Sequence, residues 1–145
     1  MWAGMVAHNN IVGVGREQDW NSHGIEHELS ALYDCAHGAG LAVIMPAWMT
    51  YVVDHDVMRF AQMACRVWNC KMDFQNPKKT ALEGIAAFRS FLKSIGMPIN
   101  FSELGAKESD IPYLVKTFDL GETGKTGGFV QLTSKDVENI YRLAL

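Results

Sequence analysis

Neutral imidazole is the commonest metal ligand among side chains, and three of the chain's five histidines, His23, His27 and His37, fall within fifteen consecutive positions. Two nitrogens sharing one ion each lie roughly 2 Å from it, and therefore within about 4 Å of each other. A continuous helix would instead separate His23 and His37 by about 21 Å along its axis. Joint ligation demands a chain break between them. Asp34, Cys35 and the small residues Ala36, Gly38, Ala39 and Gly40 permit one, because Asp favours caps and turns and Gly relieves backbone crowding. His27 follows His23 by one helical turn on the same face, where it suits a supporting or proton-transfer role. Spacing alone leaves a second reading open, in which these histidines are solvent-exposed or satisfied within the core.

Other candidate motifs are weaker. The stretch His27-Glu28-Leu29-Ser30-Ala31 ends in Ala31, so it is not the HExxH pattern of zinc hydrolases. Gly124-Lys125-Thr126 has Asp119 where a phosphate loop requires its leading glycine, and no strand precedes it; it reads as a flexible surface loop. His8 and His55 are isolated and read as structural or exposed. Met45, Trp48, Met49, Phe60, Met63 and Trp68 read as core, methionine adapting to irregular gaps, and any of them can line a pocket.

The elements that must position the histidines follow from periodicity and capping. Met1 to Val12 is apolar and rich in Gly and Ala, and the loop from Gly13 to Asn21 leads to a helix through Leu32, with Ser22 as a candidate N-cap. The stretch from Cys35 to Val53 is apolar on nearly every face and predicts a buried central helix. A third helix is capped by Asp54 or Asp56 and carries the stripe Val57, Phe60, Ala61, Ala64, Val67 and Trp68. A fourth enters at Asn76-Pro77, repeats Ala81, Ile85, Phe88, Leu92 and Ile95, and ends at Gly96 and Pro98. Shorter helices are expected over Asp110 to Phe118 and Ser134 to Leu143, the latter with a capping box of Thr133 and Asp136. No convincing strand pattern occurs, so the expected fold is an all-α bundle, with a Gly- and Thr-rich loop from Leu120 to Gln131 that has room for a short irregular turn or hairpin.

The 145 residues correspond to about one domain, and 48% apolar residues suffice for one core. A formal charge of −3 without a long basic run argues against a nucleic-acid surface. Cys35, Cys65 and Cys70 make neither a disulfide framework nor a zinc ribbon, which fits a reducing cytoplasm. The apolar run Leu41 to Met49 is shorter than the roughly 20 residues needed to span a bilayer. The first residues lack the basic region of a signal peptide.

The segments Trp2 to Asn10, Gly15 to Trp20, His23 to Asp34, Ala36 to Ala42 and Pro46 to Met49 resemble the C-terminal metal-binding helical domain of the iron-containing (group III) alcohol dehydrogenases, in particular the NADPH-dependent butanol dehydrogenase branch. Gly127-Gly128-Phe129, Leu132-Thr133 and Asp136 to Leu143 extend the likeness over nearly the whole chain. The resemblance implies the dehydroquinate synthase-like α domain. It also implies that His23 and His37 are two of four ligands to a divalent ion, Fe²⁺ or Zn²⁺, and that His27 lies near the nicotinamide of NADP(H) or NAD(H) and relays a proton. Such an ion polarises the alcohol or aldehyde oxygen during hydride transfer.

Members of that family are more than twice as long. Their nucleotide-binding domain and two further ligands, an Asp and a His, precede the region matched here, and residues 1–145 are read as one helical metal-binding domain lacking them. Two functions remain on this reading: the metal-binding part of an NAD(P)H-dependent alcohol dehydrogenase or aldehyde reductase, and a non-catalytic helical domain or assembly module. Apolar surface left uncovered, expected around Leu41 to Trp48, favours a homo-oligomer.

Overall fold

The computed structural model describes residues 1–15 and 18–145; Arg16 and Glu17, within the loop expected between Gly13 and Asn21, lie outside the described residues. The described residues form helices α1 (Trp2–His8), α2 (Asn21–Tyr33), α3 (His37–Val52), α4 (Val57–Trp68), α5 (Pro77–Ser94), α6 (Phe101–Leu104), α7 (Ile111–Thr117) and α8 (Ser134–Leu143). Two 3-10 turns, Ile11–Gly13 and Glu108–Asp110, precede α2 and α7. The extended pairing among these residues is an isolated antiparallel bridge between Thr126 and Leu132. The expected all-α fold is the observed one.

Helix boundaries follow local chemistry. Asp56 caps α4 by accepting from Arg59 N, and Asn76 caps α5 by accepting from Lys79 N, with Pro77 in the first turn. Thr133 and Asp136 form the expected capping box of α8. Ser22, in contrast, is not a cap: α2 begins at Asn21, whose N–H donates to Asp19 Oδ1 at 2.8 Å, and Ser22 is buried inside the first turn. An aspartate two residues upstream satisfies the first free amide of this earlier-starting helix. α1 and α6 were not anticipated as helices.

The break demanded between His23 and His37 exists, but its glycines have another role. α2 ends at Asp34 in the left-handed conformation (φ 50°), and Ala36 is extended before α3 begins at His37. Gly38 and Gly40 lie within α3. A Cβ on Gly40 would collide with the side chain of Glu26, so this glycine makes room for a neighbour on α2.

α3 crosses the middle of the bundle, with Val43, Ile44 and Ala47 in the core beside Ile25 and Leu29 of α2 and Val137, Ile140 and Tyr141 of α8. It continues through Pro46, which is buried. The Tyr141 hydroxyl donates to Ile25 O at 2.7 Å, tying α8 to α2 from inside the core, and burial pushes that phenol far above its ordinary pKa. α4 and α5 pack tightly side by side in the same direction, Asp54 just before α4 meeting Lys78 in the first turn of α5, and Trp68 meeting Phe88 at the end of α4. Gly84 sits against Ala64 closely enough to exclude any Cβ, and Trp68 stacks on Phe88 at 5.7 Å. Within the expected stripes, Val67 and Ile95 are exposed instead, Val67 near the end of α4 and Ile95 at the C-cap of α5.

The expected apolar patch around Leu41 to Trp48 is absent, because Ala42, Val43, Ile44 and Ala47 are buried by α2, α8 and the neighbouring helices. Exposed apolar side chains gather instead in the first fifteen residues, at Trp2, Met5, Ile11, Val12 and Val14, and α1 buries none of its residues.

Urea unfolding tests these determinants. Asp56→Ala and Asn76→Ala are each expected to lower stability by about 1 kcal/mol through loss of a cap. Gly84→Val is expected to lose about 1–3 kcal/mol by overpacking against Ala64.

Candidate functional site

The turn at Asp34 to Ala36 lays the start of α3 beside α2 and brings the three sequence-selected histidines together. The His37 ring centroid lies 5.4 Å from that of His23 and 5.1 Å from that of His27. Trp20 packs edge-on against His23 at 4.9 Å and closes one side of the group. His23 is half-buried, whereas His27 and His37 are exposed. All three line a cavity of about 720 Å³ that also receives His8, Trp20 and Phe118. His8, expected to be structural or exposed, is exposed and faces this cavity; His55 lies elsewhere, against Phe129 at 4.9 Å.

Electrostatics within the group favour neutral imidazole at His23. Partial burial depresses its pKa below the ordinary 6.5, and the neighbouring rings of His37 and His27 push it in the same direction, against an opposing pull from Glu26. Neutral imidazole is the form that binds a metal.

Sequence reasoning missed Glu26. Its side chain is fully buried, hydrogen-bonded to Ser30 Oγ and to His37 Nδ1. Donor atoms of Glu26, His27 and His37 all lie within 4.8 Å of one another. A glutamate one residue before His27 and fourteen before Gly40 carries no spacing signal of its own. The signal is tertiary, in the space that Gly40 leaves for its carboxylate.

The Leu120 to Gln131 segment carries the short irregular hairpin for which its composition leaves room, closed by the Thr126–Leu132 bridge, and it is anchored to the start of α2. Asp19 Oδ2 accepts from Gly128 N at 3.0 Å and Phe129 N at 2.9 Å, while its other oxygen holds the first amide of α2. Asn21 Nδ2 donates to Val130 O at 3.2 Å, and Thr126 and Leu132 exchange backbone bonds at 3.1 and 2.8 Å. Thr126, Gly127 and Gly128 thereby form a wall of the histidine cavity. Lys125 and Thr126 thus belong to an anchored turn, and the phosphate-loop motif has no counterpart here.

Residues 1–145 match the model of the C-terminal domain of the Fe-containing alcohol dehydrogenase family. NADH-dependent butanol dehydrogenase A of Clostridium acetobutylicum is 32% identical over 98% of this chain and 36% of its own length. The NADPH-dependent aldehyde reductase YqhD of Escherichia coli is 33% identical over 99% of this chain and 37% of its own. The crystal structure of NADH-dependent butanol dehydrogenase A from Thermotoga maritima superposes with a TM-score of 0.90 at 36% identity, covering 99% of this chain and 37% of that one. The chain thus spans a little over a third of the length of these relatives.

An NMR pH titration checks the electrostatics. His23 is expected to titrate below 6.5, and His37→Gln to move it upward by removing the ring that opposes its charge. The sign for stability follows from linkage: between the depressed folded value and 6.5 the unfolded chain binds more protons at this residue. Through His23, stability is therefore greatest above 6.5 and falls as the pH drops through that interval; a His23→Gln variant that retains this entire pH dependence overturns the assignment.

Proposed function

The chain belongs to the Fe-containing alcohol dehydrogenase family through that family's C-terminal domain, and from this premise we propose that it is the metal-binding part of an NAD(P)H-dependent alcohol dehydrogenase or aldehyde reductase. The observation that carries the reading is the convergence of His23, His27 and His37 on one cavity. The donor set fits a divalent ion: imidazole nitrogens suit both iron and zinc, and His23 is biased toward its neutral, ligating form.

In this proposal His23 and His37 hold the ion. When bound, the ion supplies Lewis acidity that polarises the oxygen of a small alcohol or aldehyde. The chain's own residues do the rest. Trp20 packs on His23 and restricts that ring. His27, the exposed imidazole beside His37, passes a proton between the substrate oxygen and solvent, because imidazole donates and accepts protons near neutral pH. Its exposed position would also let it face a bound nicotinamide. Phe118 and the anchored Thr126 to Gly128 turn, which also line the cavity, limit access of water.

A catalytic metal centre commonly takes three protein ligands and leaves one position open. The remaining ligands and the nucleotide-binding domain are proposed to come from a further segment or chain, in a cytoplasmic enzyme using NADH or NADPH. Both cofactors occur in the names of the relatives. A specific observation supports the alternative, an assembly module inactive in isolation: the unburied α1 and the exposed Trp2, Met5, Ile11, Val12 and Val14 form a face suited to association. On either reading the isolated chain forms a homo-oligomer.

Calorimetry with Zn²⁺ or Fe²⁺ tests the ligands. His23→Ala and His37→Ala are expected to abolish binding, and His27→Ala to preserve it. Joined to a nucleotide-binding domain of the family, the chain is expected to oxidise NADH or NADPH with butanal, and His27→Ala to slow turnover by about 10²–10⁴-fold. Metal binding unchanged in both ligand variants refutes the assignment; a folded, joined protein without turnover favours the assembly module. Light scattering is expected to give a mass above that of one chain, falling to one chain in Trp2→Glu/Val12→Glu.

A further inference from the structure

Glu26 is a fully buried acidic side chain between α2 and α3, and both of its oxygens are engaged. Oε1 accepts from Ser30 Oγ, one turn along α2, and Oε2 meets Nδ1 of His37 at the start of α3. Gly40 supplies the space, since any Cβ there would occupy the carboxylate's position. A carboxylate removed from water carries a large desolvation penalty unless hydrogen bonds replace its hydration. Two side-chain donors and a notch cut in the facing helix therefore make this a built position.

The orientation of the pair has a chemical consequence. His23, His27 and His37 line the cavity, whereas Glu26 lies behind them and outside its wall. With Nδ1 turned toward Glu26, His37 has its Nε2 on the other side of the ring. Which nitrogen of a histidine is free to ligate is set by the hydrogen bond that the other one makes.

We propose that Glu26 is a positioning residue for His37: it holds the ring's proton on Nδ1, fixes the ring plane against α2, and leaves the Nε2 lone pair free for a metal in the cavity. The inference deepens the metal-centre reading and rests on it for its consequence, though the tautomer itself is independent of any metal. It also places Glu26 behind a ligand instead of among the ligands, despite its closeness to His27 and His37. Carboxylates that orient ligating histidines raise their basicity, and their loss typically weakens metal affinity by about 10–100-fold.

Long-range ¹H–¹⁵N correlation spectra of the metal-free chain, labelled at histidine and held at about pH 8.5, two units above the ordinary imidazole pKa of about 6.5, read the tautomer directly. His37 is expected to be the Nδ1–H form. In Glu26→Leu the Nε2–H form is expected to emerge and Zn²⁺ affinity by calorimetry to fall by about 10–100-fold. Glu26→Gln, which keeps an acceptor oxygen, is expected to retain the Nδ1–H form and to recover part of that affinity. A dominant Nε2–H form in the parent chain overturns the proposal, as does a folded Glu26→Leu variant with parental spectra and affinity. Should Glu26→Leu fail to fold by circular dichroism, the parent spectrum and the Gln variant still decide. Should the parent bind no Zn²⁺, His23 and His37 do not hold an ion without the further ligands, while the tautomer still judges Glu26.

Discussion

A dehydrated carboxylate between two helices governs the geometry of this domain. Glu26 is held by Ser30 and His37, and α3 comes near enough to enclose it only because position 40 has no side chain. The same contact turns His37 toward His23 and His27. The desolvation of an acid, the choice of glycine in the facing helix and the convergence of three imidazoles are thus one packing solution.

The surrounding bundle supports that contact from two directions. Behind α2, the buried Tyr141 hydroxyl bonds to Ile25 O and fixes α8 against the turn that carries Glu26 and His27. Tyr51 repeats the device at the other end of α8: its hydroxyl donates to Asp136 Oδ1 at 2.6 Å, the residue that closes the α8 capping box. In front, Asp19 binds the first amide of α2 and two amides of the Gly128–Phe129 turn, so parts of the chain more than a hundred residues apart form adjoining walls of one cavity. Each tie ends on a buried or part-buried charge or hydroxyl, where a hydrogen bond contributes more than at the surface.

Membership of the Fe-containing alcohol dehydrogenase family gives the unburied N-terminal helix a physical context. α1 and the 3-10 turn after it keep Trp2, Met5, Ile11, Val12 and Val14 in solvent, a concentration of apolar surface unlike the well-packed face of α3. The cavity opens beside the same segment, with His8 on its rim. The part matched here is a little over a third of the length of the relatives, and clustered apolar surface of this kind is suited to association.

Local rules determined much of this protein from the sequence. Asp56, Asn76-Pro77 and the Thr133–Asp136 pair marked the starts of α4, α5 and α8 because capping depends on residues three or four apart. The need for a break between His23 and His37 followed from helical rise alone, and the family was legible in the segments around those histidines. Other features depended on neighbours remote in sequence. α2 starts one residue before Ser22 with its first amide on Asp19, the Leu41 to Trp48 surface was covered by α2 and α8, and the Leu120 to Gln131 hairpin was anchored by an acid from the other end of the chain. Glu26 had no periodicity or motif to distinguish it from an exposed helical glutamate. Only the approach of α3 decided that it would be buried, because burial of a charge is a property of what packs against it and not of its spacing along the chain.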